Sequence, residues 1–303
     1  MSGDSILLLG GAGFIGTALA RRLAAQGKRV HVISRRNPTC IEPGIVVHAG
    51  DLGDVSLLEK LLPECGTVVH LASTTTPGSS AAHPARELGN LVPTLQLLEI
   101  LQRWPHTHLI FLSSGGTVYG NPAHNPVSEL APLAPLSFHG ANKVALEGFL
   151  QAFRASGHAV TVLRPSNAYG PGQSLHQGFG LVRTVLQNIL RGSPLEIWGD
   201  GENVRDFVYV DDMVEAILLA AARPEDSGTY NVGSGKGYTI NQVLAIAQQV
   251  SGVPVPVEYH PARSVDVREI VLDIAHIRAV TGWQPAIGLE EGIARTWHWL
   301  AQA

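Results

Sequence analysis

The chain opens with SILLLGGAGFIG at residues 5–16, an apolar run that leads directly into a glycine-rich segment. The apolar residues 5–9 predict a buried β-strand, and TALARRL at residues 17–23 predicts an amphipathic helix. Glycines between a strand and a helix allow a tight turn, close approach of backbone N–H groups to a pyrophosphate, and tight helix packing. The segment therefore predicts a dinucleotide-binding turn, in either of two glycine registers that both end at Gly16.

Further strands and helices alternate along the first half of the chain. Strand-like runs occupy residues 29–33, 45–48, 67–71, 108–112 and 159–163, and helical patterns include residues 55–62, 91–101 and 142–154. Regular alternation of this kind is typical of parallel βαβ units with right-handed crossovers. The sequence therefore predicts an α/β fold with a Rossmann-type doubly wound parallel sheet.

The pattern changes after Pro165. A Gly- and Pro-rich segment runs to Gly172, and GDGE at residues 199–202 interrupts the chain again. Loops of this kind are where a substrate-binding region is inserted. We predict a dinucleotide-binding domain of residues 1–168 plus about 204–232, and a smaller C-terminal α/β substrate-binding lobe of residues 169–203 and 233–303.

Composition excludes several classes of function. The chain has 303 residues, 45% of them hydrophobic and 15% charged, which describes a globular protein with a large core. A net charge of −4 without a basic run argues against a nucleic-acid partner. Cys40 and Cys65 lack metal-ligand spacing, and we find no signal peptide or membrane span. We therefore expect a cytoplasmic protein without a metal or membrane partner.

Four further motifs follow the glycine turn in a fixed order. They are HLAS at residues 70–73, SSGGTVYG at 113–120, LRPSNAYGP at 163–171 and RDFVYVDD at 205–212. Together with the turn they resemble the extended short-chain dehydrogenase/reductase family, closest to its UDP-glucose 4-epimerase-like nucleotide-sugar enzymes. The resemblance implies an NAD(P)-dependent nucleotide-sugar epimerase that transiently oxidises sugar C4 to a 4-keto intermediate. It also implies a homodimer that pairs through residues 88–101 and 142–154.

The resemblance assigns roles to individual residues. It implies that Asp51 and Leu52 flank the adenine, that Lys143 holds the nicotinamide ribose, and that the cofactor also contacts Gly10, Gly13, Phe14, Ile15, Gly16, Leu71, Ala72 and Ser73. For the substrate it implies that Asn167 contacts the diphosphate or sugar, that Arg205 and Arg263 clamp the diphosphate, and that Asp266 meets the nucleoside ribose. Guanidinium groups pair bidentately with phosphate oxygens, and carboxylates accept hydrogen bonds from ribose hydroxyls.

The chain departs from the family pattern at its catalytic pair. The family uses Tyr-x-x-x-Lys, in which the lysine lowers the tyrosine pKa so that the phenolate can take a hydroxyl proton. Here Lys143 is present, but His139 stands four residues earlier. The usual hydroxyl partner also falls on Gly115, which leaves Thr117 to bond the reacting oxygen. We therefore take Thr117, His139 and Lys143 as the candidate catalytic residues.

Two interpretations of His139 remain open. In the first, the imidazole replaces the phenol as acid and base, and the Lys143 charge lowers its pKa so that the neutral form can accept a proton. In the second, the histidine, natural or introduced to trap a complex, leaves a nucleotide-sugar and cofactor-binding protein with little catalysis.

A second departure concerns the cofactor. About 20 residues beyond the glycine turn, NAD-binding proteins carry an acidic residue for the ribose 2′-OH. Ser34, Arg35 and Arg36 occupy that place here and suit a 2′-phosphate, which favours NADP over NAD, although such epimerases commonly retain NAD. An exposed pair of solvated loop arginines is the alternative. Because Ser34, Arg35 and Arg36 favour NADP, the alternative activity is that of a net NADP-dependent nucleotide-sugar reductase.

Overall fold

The computed structural model describes residues 5–35, 42–175, 180–263 and 266–302. Within them the strands are β1 (Ser5–Leu9), β2 (Arg29–Ser34), β3 (Ile45–Ala49), β4 (Cys65–His70), β5 (His108–Leu112), β6 (Val160–Pro165), β7 (Asn167–Tyr169), β8 (Leu195–Trp198), β9 (Val204–Tyr209), β10 (Thr229–Val232), β11 (Gly237–Thr239), β12 (Val257–His260) and β13 (Glu269–Ile270).

The described helices are α1 (Phe14–Ala25), α2 (Val55–Leu61), α3 (Pro77–Ala81), α4 (Leu88–Leu101), α5 (Gly115–Val118), α6 (Phe138–Ala155), α7 (Leu181–Arg191), α8 (Val210–Ala221), α9 (Ile240–Ser251), α10 (Ala275–Thr281) and α11 (Leu289–Ala301). Short 3₁₀ turns lie at Leu62–Glu64, Pro84–Glu87 and Pro224–Asp226. No helix in the described ranges is both long and apolar enough to cross a membrane.

The largest sheet has seven strands in the order β10-β6-β5-β4-β1-β2-β3. The pairings from β3 through β6 are all parallel. The order reverses at β1, because the chain fills one side with β2 and β3 and the other with β4, β5 and β6. The predicted α/β fold with a Rossmann-type doubly wound sheet is confirmed. In such sheets ligands bind beyond the carboxyl ends of the strands at the point of reversal.

The core of this sheet explains its sequence pattern. Parallel strands are covered on both faces, so they carry continuous apolar runs, and Leu7, Leu8 and Leu9 of β1 are all buried. On one face a single cluster joins strand residues such as Leu7 to Leu97 of α4 and Leu150 of α6. This packing places α4 and α6 against the sheet.

The chain divides into two compact units by the contacts among its residues. The first contains residues 1–113, 138–163 and 214–230, and the second contains residues 114–137, 164–213 and 231–303. In the second unit β9 pairs with β7, β11 and β13, and β8 pairs in parallel with β12. The domain bounds predicted from the sequence, with residues 1–168 plus about 204–232 as the dinucleotide-binding domain, stay a prediction.

Candidate active site

The glycine turn forms a close-fitting cradle between β1 and α1. Gly10 has a φ of +85°, and a Cβ there would lie 2.7 Å from the backbone nitrogen of Ala72. A Cβ at Gly16 would collide with the carbonyl oxygen of Gly10. Gly13 is the N-cap of α1, where no side chain caps the helix and the first turn carries no acidic residue. The positive end of α1 thus meets a turn with no bulky side chain, which fits a dinucleotide pyrophosphate.

The other predicted cofactor residues of the first unit follow neighbouring strands. Ser34 ends β2 and is half-buried, and Arg35 after it is exposed. Leu71 and Ala72 follow β4, and Ser73 Oγ donates a hydrogen bond of 2.9 Å to the carbonyl oxygen of Thr75. Because the carboxyl ends of parallel strands meet at one edge, the fold brings these residues to the edge where Gly10 lies. Arg36 lies outside the described residues.

Asp51 and Leu52 follow β3 at the same edge of the sheet. The side chain of Asp51 turns back on its own loop, where Oδ1 accepts a hydrogen bond of 2.8 Å from the backbone N–H of Gly53. Leu52 is half-buried and packs against the hydrophobic core. The loop therefore places a carboxylate and an apolar side chain side by side, the two kinds of contact predicted for the adenosine half of the cofactor.

Helix α6 presents two polar residues on its buried face. His139, Lys143, Leu146 and Leu150 recur at helical spacing and are all buried. Lys143 lies one turn after His139, and its Nζ donates a hydrogen bond of 2.7 Å to the carbonyl oxygen of Leu112 at the end of β5. Burial lowers the pKa of Lys143 to about 8, against the opposing effect of Glu147 and Glu87.

The His139 ring is held from one side. Its Nδ1 lies 3.1 Å from Thr75 Oγ1 and 3.9 Å from Glu87 Oε1. Burial, and to a lesser extent the charge of Lys143, lower the pKa of His139 to about 4, while Glu87 opposes the shift. The imidazole is therefore neutral at physiological pH and can accept a proton. The sequence pointed to the effect of Lys143, but burial is the larger cause.

Thr117 and Gly115 belong to the second unit. Thr117 Oγ1 is half-buried and donates a long hydrogen bond of 3.4 Å to the carbonyl oxygen of Ser114. A Cβ at Gly115 would lie 2.6 Å from Leu272 Cδ1 and 2.9 Å from the carbonyl oxygen of Arg164. The space in which the family's hydroxyl side chain would begin is thus filled by Leu272, and glycine is the residue that fits.

Three of the predicted substrate residues lie together in the second unit. Arg263 is half-exposed, and its guanidinium donates hydrogen bonds of 3.0 and 3.2 Å to the two carboxylate oxygens of Asp266. Its guanidinium carbon also lies 4.7 Å from the centre of the Trp198 ring. Burial lowers the pKa of Arg205, while Asp266 raises it, and Arg205 donates a hydrogen bond of 2.9 Å to the carbonyl oxygen of Val204.

Asn167 also lies in the second unit, on β7. Its Nδ2 donates a hydrogen bond of 2.9 Å to the carbonyl oxygen of Asp206 on β9. The amide therefore already bridges two paired strands. Its side-chain oxygen remains as the atom with which it would meet a ligand.

Comparison with known proteins assigns the family. The sequence model of the NAD dependent epimerase/dehydratase family matches residues 6–233, which is more than half of the chain. The chain belongs to this family. Among its relatives, the UDP-glucose 4-epimerase of Mycolicibacterium smegmatis is 34% identical over 304 residues, covering 96% of each chain. The UDP-glucose 4-epimerase of Lactobacillus helveticus is 30% identical, covering 97% of this chain and 96% of the relative.

Solved structures show the same fold. The UDP-glucose 4-epimerase of Thermotoga maritima, determined with UDP-glucose, has a TM-score of 0.91 at 33% identity, covering 98% of this chain and 99% of the other. The UDP-glucose 4-epimerase of Thermus thermophilus, determined with NAD, has a TM-score of 0.91 at 32% identity, covering 99% of both chains. The family resemblance drawn from the sequence motifs is confirmed, as is its dependence on a nicotinamide dinucleotide.

In this member of the NAD dependent epimerase/dehydratase family, sequence patterns missed four candidate residues. Thr75 and Glu87 lie beside the ring of His139, Asn90 donates hydrogen bonds to both of them, and Trp198 lies against Arg263. Trp198 had a weak signal, since an aromatic residue directly precedes the GDGE loop. The other three residues had no signal in the sequence, because they are common polar residues up to 64 positions from His139.

Proposed function

We propose that this chain is an NAD(P)-dependent epimerase that inverts C4 of a nucleotide sugar, with a UDP-sugar as substrate. The observation that carries the proposal is the buried pair His139 and Lys143, one turn apart on α6. The glycine cradle at Gly10, Gly13 and Gly16 supports it, because it fits a dinucleotide. Relatives named UDP-glucose 4-epimerase align over nearly the whole chain.

The residues of the chain have distinct parts in this reaction. The bound nicotinamide supplies a reversible hydride acceptor for sugar C4. Neutral His139 takes the proton from the O4 hydroxyl as the carbonyl forms, and returns it when C4 is reduced from the opposite face. Thr117 donates a hydrogen bond to the reacting oxygen, and Lys143 holds the nicotinamide ribose. Burial, with a smaller contribution from the charge of Lys143, keeps the imidazole neutral.

The substrate nucleotide is held by the second unit in this proposal. Arg205 and Arg263 pair with the diphosphate, Asp266 accepts from the nucleoside ribose, and Asn167 contacts the diphosphate or sugar. The closeness of both arginines to Asp266 supports one shared ligand for the three residues. Guanidinium groups are suited to phosphate because their forked donors match its oxygens.

NADP is the proposed preferred form of the cofactor. Ser34 and the exposed Arg35 follow β2, at the position where an acidic residue would repel a 2′-phosphate. This position also favours a net NADP-dependent reductase as the second candidate function. The two activities differ in stoichiometry, since a reductase consumes one reduced cofactor per product and an epimerase consumes none.

We propose a cytoplasmic homodimer that pairs through α4 and α6. Leu88 and Val92 on α4 and Phe149 on α6 are exposed large apolar residues of the first unit. Light scattering at micromolar concentration should give twice the mass of 32.2 kDa. A monomeric mass would contradict the proposal. The cytoplasmic location rests on the low cysteine content of the sequence.

The function is tested by incubating the purified protein with a panel of UDP-sugars and NAD or NADP. We expect the proton NMR spectrum to show interconversion of C4 epimers with no net change in reduced cofactor. Stoichiometric consumption of reduced cofactor would favour the reductase. Inactivity on every sugar, with cofactor binding confirmed by calorimetry, would favour a binding protein with little catalysis.

A further inference from the structure

His139 belongs to a buried polar cluster of four side chains that lies at one edge of its ring. Thr75, Glu87, Asn90 and His139 are each less than one-tenth exposed. They come from the segment after β4, the 3₁₀ turn before α4, α4 itself and the start of α6. All four belong to the first compact unit. A cluster of this kind is costly to bury unless its donors and acceptors match, so the direction of each hydrogen bond can be derived.

The amide of Asn90 has a determined orientation. Its Oδ1 accepts hydrogen bonds from the Thr74 backbone N–H at 2.7 Å and from Thr74 Oγ1 at 2.9 Å. Because a backbone N–H can only donate, the atom facing it must be the oxygen. Asn90 Nδ2 therefore points the other way and donates to Thr75 Oγ1 at 2.8 Å and to Glu87 Oε2 at 3.1 Å.

The Thr75 hydroxyl has a single proton to place. One of its neighbours is Glu87 Oε2 at 3.0 Å, the oxygen that also accepts from Asn90 Nδ2, and it accepts from the hydroxyl. The proton therefore lies toward Glu87, and the Thr75 oxygen faces His139 Nδ1 with a lone pair. A neutral imidazole donates through one ring nitrogen and accepts through the other. Because the Thr75 oxygen accepts, His139 Nδ1 forms this hydrogen bond only when Nδ1 carries the ring hydrogen and donates it.

We propose that Thr75 and Glu87 are positioning residues that hold His139 in the Nδ1–H tautomer, so that Nε2 carries the lone pair. The inference rests on the proposed function for the use of that lone pair, which is to accept the O4 proton of the sugar. In the described part of the chain no hydrogen bond engages Nε2, and one-tenth of the side chain is exposed. Nε2 is therefore the ring nitrogen left for a ligand.

Glu87 has a second effect once the proton is taken. Its Oε1 has no hydrogen-bond partner among the described residues and lies 3.9 Å from His139 Nδ1. The imidazolium that forms is then stabilised by this carboxylate, as an acidic residue behind a histidine base does in general. The charged groups that face the ring are Glu87 and Lys143, and α3, which packs on α6, carries no charged side chain.

Two substitutions at position 87 separate the tautomer from the charge. Glu87→Gln keeps an oxygen that accepts from Asn90 and Thr75, so the Nδ1–H tautomer is retained while the charge is lost. Glu87→Met replaces the carboxylate oxygens by a sulfur that accepts hydrogen bonds only weakly, so the Thr75 hydroxyl turns to His139 Nδ1 and the ring hydrogen moves to Nε2. The two variants match in side-chain length, and they differ in whether residue 87 carries an oxygen that accepts a hydrogen bond.

The tautomer is measured by ¹⁵N NMR of histidine-labelled protein, with His139→Tyr used to assign the signal. We expect Nδ1 protonated in the unchanged protein and in Glu87→Gln, and Nε2 protonated in Glu87→Met. Thr161→Val is the matched control, because it removes a 2.9 Å hydrogen bond to another buried histidine, His108. It should leave the His139 signal unchanged. Protonated Nε2 in the unchanged protein, or an unchanged tautomer in Glu87→Met, would overturn the proposal.

Kinetics give a second readout. Glu87→Met should lower kcat about 10²-fold with little change in KM, since the proton acceptor is lost. Glu87→Gln should shift the acidic limb of the pH profile to lower pH, because Glu87 raises the pKa of His139. Loss of kcat in Glu87→Met without a change of tautomer would mean a merely structural role. Expected NMR signals in a protein without epimerase activity would contradict the proposed function and leave the tautomer assignment supported.

Discussion

Two clusters of charged and polar groups in this protein differ chiefly in burial. Around His139, in the first unit, every partner is buried and the imidazole is held neutral. Around Asp266, in the second unit, Arg263 is half-exposed and forms an ion pair with the Asp266 carboxylate. Burial penalises charge and so prepares a group to exchange a proton, while partial exposure preserves charge and suits a group that pairs with an anion. The cluster around His139 is therefore suited to proton transfer, and the cluster around Asp266 is suited to binding an anion.

The largest effect is expected at His139. His139→Phe removes the proton acceptor and should lower the epimerisation rate by about 10²–10⁴, the usual contribution of a positioned acid or base. Cofactor affinity, measured by calorimetry, and KM, measured in the epimerisation assay, should change little. In the unchanged protein the rate should fall as pH drops through the His139 pKa of about 4, and it should stay level from about pH 6 until Lys143, with a pKa of about 8, loses its charge.

The opposite substitution, His139→Tyr, sharpens this test. If the histidine is the base, a phenol beside Lys143 should leave the rate similar or lower. A rise in the epimerisation rate by about 10²–10⁴ would instead show that His139 does not act as the base and that the pocket suits the tyrosine of the family. A profile without an acidic limb would support the same conclusion.

The next effect concerns the cluster around Asp266. Arg205→Ala or Arg263→Ala should weaken UDP binding by about 1.5–3 kcal/mol, the range for hydrogen bonds to charged groups. Arg263 should lie at the lower end, because a ligand must compete with Asp266. Calorimetric titration with UDP measures the change, and Arg278→Ala, an exposed arginine of α10, is the control. Unaltered affinity in both variants would remove these residues from the site.

A stability effect of about 1–3 kcal/mol is expected at Gly115, where an added side chain overpacks the core. Gly115→Ser introduces the hydroxyl of the family pattern but meets Leu272 and the Arg164 carbonyl. Gly116→Ser is a matched control, since a Cβ at Gly116 meets nothing within 4 Å. Urea denaturation should show a loss of stability at position 115 only. Equal stability of the two variants would contradict the packing explanation.

The smallest effect is expected at the exposed Arg35. Arg35→Ala should weaken NADP binding by about 1 kcal/mol, typical of a solvated ion pair, and leave NAD binding nearly unchanged. Lys60→Ala, an exposed cation of α2, is the control. Tighter binding of NAD than of NADP by the unchanged protein would overturn the proposed cofactor preference.

The two clusters also differ in how far sequence could predict them. The predicted role of the glycines follows from a short motif, because a strand, turn and helix adjacent in the chain build one local structure. The predicted role of Lys143 follows from the resemblance to the family's Tyr-x-x-x-Lys pair. The sequence also showed that His139, four residues before Lys143, stands where the family has a tyrosine. The sequence did not indicate which residues contact His139, because Thr75 and Glu87 come close to it only when α4 and α6 pack on the sheet.

By itself, the sequence determined the parallel sheet, the glycine turn and the spacing of His139 from Lys143, because each depends on neighbours within a few turns or strands. Only the tertiary structure decided that Gly115 faces Leu272, and that burial outweighs Lys143 in lowering the pKa of His139. The tertiary structure also placed Thr75 and Glu87 beside the imidazole, with Asn90 bonded to both. The physical reason is that burial and hydrogen-bond direction belong to groups brought together by packing, which no local pattern encodes.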